Sequence, residues 1–153
     1  ATGAAPDQFA SPTRSPAGEL PPRGEGRAGD RAIQQLLEQS WPADLSAAQA
    51  KQLLDTAAKV LRADATGLGQ DAFPSAFPSA AHSGAVSPAF TRIRIQAAIA
   101  RQDPARPGQT LAHLVWAAAD RGGTYTDGRL ADIPFTHRTG DATAWTPLPP
   151  ATS

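Results

Sequence analysis

Apolar and polar residues alternate one by one from Thr91 to Arg101. Ile93, Ile95, Ala97 and Ile99 fall on one side, and Arg92, Arg94 and Gln96 on the other. That rhythm is the period of a half-buried β-strand, and isoleucine and threonine suit a pleated surface. The stretch Asp103-Pro104-Ala105-Arg106-Pro107-Gly108 then interrupts the run with turn-forming residues. A second apolar run ends at Ala119. The pattern predicts an antiparallel hairpin of strands over residues 91–101 and 110–119. Two more strands are expected at 129–138, where Ala131, Ile133, Phe135 and His137 share a side, and at 143–148 around Trp145. Arg121-Gly122-Gly123 and Thr139-Gly140-Asp141 supply the turns. Pro134 has no N–H for a ladder, so the third strand should be an edge or carry a bulge there. Pro147, Pro149 and Pro150 should end the structured chain. Leu111, Leu114, Val115 and Ala118 also fit helical spacing, and a helix there would open a helix-turn-helix reading of 110–133. The strands expected on either side favour a strand.

Upstream the rhythm is helical. Ile33, Leu36, Leu37 and Trp41 make one apolar stripe after Asp30, which suits an N-cap. Pro42 should end this helix, because the residue before proline is pushed out of helical geometry. Ser46-Ala47-Ala48-Gln49 has capping-box spacing with Leu45 in the staple position. It opens a second helix to Arg62 whose buried face is Ala50, Leu53, Leu54, Ala57, Val60 and Leu61. Helices joined so closely normally pack as a pair. Residues 64–89 read as a long loop that holds the tandem tetrapeptides Ala72-Phe73-Pro74-Ser75 and Ala76-Phe77-Pro78-Ser79. The repeat is either a slippage product or a device by which Phe73 and Phe77 pin the loop over the core. Residues 1–29, with five prolines and five glycines, have too few large apolar groups to offset their ordering entropy and read as a flexible tether.

Composition narrows the classes. At 153 residues one domain plus tails is expected: a tether at 1–29, a domain at 30–148 and a tail at 149–153. Fourteen basic and fourteen acidic residues balance, which disfavours nucleic acid or an acidic membrane as a partner. No run approaches the length of a membrane-spanning helix. With no cysteine, disulfide and thiolate chemistry are unavailable. Methionine is also missing, even at position 1. A mature product trimmed of a signal or anchor explains this, and so does a boundary within a longer chain. The expected location is extracellular or at the cell envelope, with the cytoplasm left open. The wealth of alanine, proline, glycine and arginine is that of a GC-rich, actinobacterial type of gene.

Together these features give an α+β domain: two N-terminal helices on a curved antiparallel sheet of about four strands. The layout resembles the nuclear-transport-factor-two-like (NTF2-like) and cystatin-like families, including periplasmic assembly domains of conjugation and secretion machines. The resemblance rests on the patterned helices at 30–62, Arg92-Ile93-Arg94-Ile95-Gln96, Leu114-Val115-Trp116 and Ala144-Trp145-Thr146-Pro147, over roughly two thirds of the chain. It implies a binding or assembly role, or, as the alternative, a small-molecule pocket with isomerase- or cyclase-like chemistry.

Candidate chemistry is sparse. The sequence contains no phosphate-binding loop, His-Glu-x-x-His or nucleophile elbow. No metal, cofactor or catalytic residue is assigned. If a pocket exists, His113, Trp116, Tyr125, Asp132 and Trp145 are its expected lining. His82 reads as a solvated loop residue, and His137 lacks an acid–base partner on its own side of the strand. Arg92, Arg94 and Gln96 project from one strand face and are the candidate partner surface, arginine being enriched at interfaces. A non-enzymatic module that binds a protein in preference to a small molecule is therefore expected.

Overall fold

A computed structural model describes residues 29–41, 43–78, 89–138 and 141–152. The tether 1–28, His82 and most of the second tetrapeptide's downstream loop lie outside the described residues. The element order is α1 (Asp30–Ser40), α2 (Ala47–Thr66), β1 (Phe90–Gln102), β2 (Gln109–Asp120), β3 (Tyr125–Arg138), β4 (Asp141–Pro147) and β5 (Ala151–Thr152). This is an α+β fold in which four antiparallel strands follow each other as an open meander, β1-β2-β3-β4. With β2 and β3 occupying 109–138, no helix-turn-helix exists over 110–133. No helix among the described residues is long and apolar enough to cross a membrane.

The first helix starts one residue differently from expectation. Gly29 is the N-cap, and Asp30 turns its carboxylate to the guanidinium of Arg94 instead. The capping box of α2 is fully formed: Ser46 Oγ accepts the Gln49 N–H at 3.1 Å, and Gln49 Oε1 accepts the Ser46 N–H at 3.4 Å. Ser46→Ala should therefore cost about 1 kcal/mol in a urea melt, and Ser46→Gly only a few tenths. Equal losses in both variants would show that the cap bond is not the cause. This helix also runs past Arg62 to Thr66, because Ala63 and Ala65 still face the core at 3% and 4% exposure. Gly67, in the left-handed region at φ 76°, closes it by donating to the Ala63 carbonyl.

The core lies between α2 and one face of the sheet. Leu53, Ala57, Val60 and Leu61 meet Ala112, Leu114, Trp116, Ile133 and Phe135, all buried. Each large side chain removed from water there contributes about 1.5–3 kcal/mol. Phe73 and Phe77 also pack against this core, with Ala76 fully inside it, and Ser75 Oγ donates to the Pro147 carbonyl at 2.8 Å. The described part of the repeat thus pins the chain over the core.

The two helices do not form the expected pair; each packs on β1 instead. α1 runs along that strand: Asp30 meets Arg94, the Gln34 amide bonds to Ala98, and Trp41 reaches the level of Arg101. Strict alternation in β1 also fails. The pairing with β2 shifts between Thr91 and Arg94 and again between Ile95 and Ala97. Such bulges bend a strand and reset which side its residues face. Ile93 and Ile95 therefore share the core side with Ala98 and Ala100, while Ala97 and Ile99 lie on the opposite face.

Pro134 is not at a sheet edge, since β3 has neighbours on both sides. β4 pairs with residues from Phe135 onward and β5 with Ala131 and Asp132. Pro134 falls in the gap between them, where its carbonyl accepts the Leu148 N–H at 2.8 Å and no ladder N–H is required. The same gap corrects the expectation that the prolines end the structure: the chain passes Pro149 and Pro150 and rejoins β3 as β5.

Candidate functional site

On the sheet face away from α2, four side chains from separate segments form one cluster. β2 and β3 place His113 directly opposite Asp132, and the His113 Nδ1 to Asp132 Oδ1 distance is 2.8 Å. From β1, Arg101 donates its Nε–H to His113 Nε2 at 2.9 Å. Trp41, just past the end of α1, stacks on the imidazole with centroids 4.0 Å apart and planes 13° from parallel. Its other neighbour is the Arg101 guanidinium, 5.0 Å from the indole centroid. A guanidinium N–H donates only to a lone pair. This arrangement therefore has Nε2 bare and the proton on Nδ1, where it is donated to Asp132.

Both ring nitrogens of His113 are thus engaged, and the residue is 6% exposed. General acid–base work needs a nitrogen within reach of a substrate proton; here the imidazole ties three strands and α1 together. Beside it opens a cleft of about 320 Å³ lined by Leu37, Trp41, His113, Val115, Leu130 and Asp132, among others. Leu130 stands 56% exposed on an interior strand, and the Asp132 side chain is 51% exposed at the rim.

Of the expected pocket residues, only His113 and Asp132 come together. Trp116 is 2% exposed on the opposite face, in the core, with Phe90 edge-on at 5.2 Å. Tyr125 lies at the β2–β3 hairpin, under the Arg92 guanidinium at 5.0 Å. Trp145 packs against His137 with centroids 3.6 Å apart and planes tilted by 33°, and lines a separate pocket. Two register shifts interrupt β1 along Arg92, Arg94 and Gln96, one between Thr91 and Arg94 and one between Ile95 and Ala97. Arg92 has φ 53°, Arg94 is largely buried in its ion pair with Asp30, and Gln96 is 8% exposed and accepts the Gly128 N–H at 2.9 Å.

Sequence reasoning missed Trp41, Arg101 and Leu130 as site residues. Arg101 carried a signal, since it continues the alternation of Ala97 and Ile99 onto the face that His113 occupies. Among the described residues no three His, Cys, Asp or Glu side chains converge as metal ligands do. No family model matches the chain, and neither a curated protein nor a solved structure matches it.

Proposed function

We propose that the chain is a non-enzymatic binding module whose docking site is the cleft beside His113. The observation that carries this is Leu130, a large apolar side chain left exposed on an interior strand between Trp41, Leu37 and Asp132. Both ring nitrogens of the His113 behind it are engaged, and the network serves to hold the wall rigid, which lowers the ordering cost of association. The cleft's lining is mostly apolar, with Asp132 half exposed at its rim. Its fitting occupant is a protein segment with an aliphatic or aromatic anchor for the Leu37–Trp41–Leu130 wall and a neighbouring basic group for Asp132. Two helices followed by a four-strand antiparallel sheet are compatible with the layout of NTF2-like assembly domains, a resemblance that favours the same role, which an envelope location would suit.

Titrating labelled protein with short peptides that pair a leucine or phenylalanine with arginine should move the amide signals of Leu37, Trp41, Val115, Leu130 and Asp132 together. Leu130→Asp should weaken binding at least about tenfold while changing stability by no more than about 0.5 kcal/mol, as befits an exposed position. Shifts confined to another surface would sink the proposal. The cleft's volume of about 320 Å³ keeps a small-ligand pocket as the second reading. Stabilisation by small apolar compounds, with no response to the peptides, would decide for it.

A further inference from the structure

Leu68, just past the end of α2, is 67% exposed. A single exposed leucine is ordinary, but this one is held in place. It stands between Gly67 and Gly69, both in the left-handed region at φ 76° and 82°, and its N–H donates to Thr66 Oγ1 at 3.2 Å. Gly67 donates to the Ala63 carbonyl at 2.8 Å and Ala72 to that of Gly69 at 3.2 Å, so the turn is braced on both sides. Leu68 borders a pocket of about 360 Å³ that it shares with Arg62, Thr66, Phe90, Arg92 and Ile93.

Two guanidinium groups reach this pocket. Arg62 comes from α2 and is exposed; its Nη1 donates to the Ile93 carbonyl at 3.2 Å, which fixes the head group beside β1. A guanidinium has five N–H donors in a fork that matches a carboxylate, so one such bond leaves it able to bind another acceptor. Arg92 is the only non-glycine residue with a positive φ among the described residues, at 53°. A side chain there costs energy, and such strain collects at ligand clamps. Arg92 falls inside the first register shift of β1, where a bulge re-aims a side chain. No aspartate or glutamate lines the pocket among the described residues. The charge there is opposite to that of the cleft beside His113, where Asp132 stands at the rim.

We propose that this pocket is a second docking surface, and that its occupant is an acidic segment of a partner protein with a glutamate or aspartate next to a leucine or isoleucine. The carboxylate meets Arg62 and Arg92, and the aliphatic side chain lies against Leu68 and Phe90. The test is NMR titration of the labelled full chain with short peptides that alternate leucine and glutamate, and with the same peptides carrying glutamine for glutamate. The acidic peptide should bind with a Kd of about 1 mM or tighter and move the amides of Arg62, Thr66, Leu68, Thr91 and Ile93 together. Raising the salt from about 0.05 to 0.5 M should weaken it several-fold, since exposed charges are screened. Arg62→Gln and Leu68→Ser should each weaken it at least about fivefold, and Arg92→Gly, which suits the left-handed backbone, should weaken it too. Leu130→Ser, on the other face of the sheet, should leave it unchanged. Absence of binding at about 10 mM overturns the proposal, as does equal affinity for the glutamine peptide or for the Arg62→Gln and Leu68→Ser variants. Tighter binding of octanoate than of every peptide overturns it as well, by marking a small amphipathic acid as the occupant.

Discussion

Replacing Trp116 with alanine is expected to destabilise the chain by about 3–5 kcal/mol, the loss typical of truncating a buried aromatic ring. The side chain is 2% exposed and sits opposite Ile95 on β1. Phe90 meets it edge-on at 5.2 Å, and the Arg129 guanidinium lies 5.5 Å from its centroid and 4.4 Å from that of Phe90. Arg129 is held there by a bond to Thr126 Oγ1 at 2.6 Å. Truncation thus removes the ring, opens a cavity and strips a cation of an aromatic partner. Ordinary domains have about 5–15 kcal/mol in total, so the thermal midpoint should fall by about 10 °C or more. Trp116→Phe is the control. The indole nitrogen has no hydrogen-bond partner, so that variant loses volume but no bond and should keep most of the stability. A shift of only a degree or two for Trp116→Ala in a calorimetric melt would mean that the ring does not close the core.

His113→Ala should cost about 1–3 kcal/mol, as expected when a buried hydrogen-bonding group is removed and its partners are stranded. Arg101 loses its acceptor, Asp132 its donor, and Trp41 the ring stacked at 4.0 Å. The Asp132 side chain is half exposed and regains water, so the penalty falls mainly on Arg101 and on the stack. His113→Phe separates the two contributions, since it restores an aromatic face for Trp41 and neither hydrogen bond. If it is as unstable as His113→Ala, the bonds dominate; if it recovers most of the loss, the stack does. Peptide binding at the cleft should weaken in His113→Ala because Trp41 is no longer held in place. Unchanged stability in both variants would contradict the clamp described for this ring.

The strands were legible because alternation is a property of neighbouring residues. The run Ile93 to Ile99 sufficed to place β1, and Ser46 with Gln49 sufficed to start α2. Legibility ended where one inserted residue changes every orientation beyond it. Gln96 is such a residue: the shift there puts Ala98 on the core side, where unbroken alternation predicted Ala97, and buries Gln96 on the Gly128 amide. The site was hidden for a different reason. Trp41, Arg101, His113 and Asp132 come from a helix end and three strands, and their meeting depends on where α1 lies along β1. The expected helix–helix pair would have placed Trp41 against α2. The actual placement is set by Asp30 and Gln34, two polar residues that hydrophobic periodicity does not weigh.

The Gln34 side chain has one more effect. Its amide both donates to the Ala98 carbonyl and accepts the Ala98 N–H, each at 2.9 Å, and farther along Asp44 accepts the Gln102 N–H at 2.9 Å. A side-chain amide here imitates one peptide unit of a strand that does not exist. The rim of the sheet, which would otherwise offer a row of bare backbone groups to any extended chain, is plugged at Ala98 and at Gln102. Open rims of this kind invite fibril growth and uncontrolled stacking of copies. With these two points occupied, another chain cannot simply lengthen the sheet along β1, and recognition at this side must be made by side chains across a face.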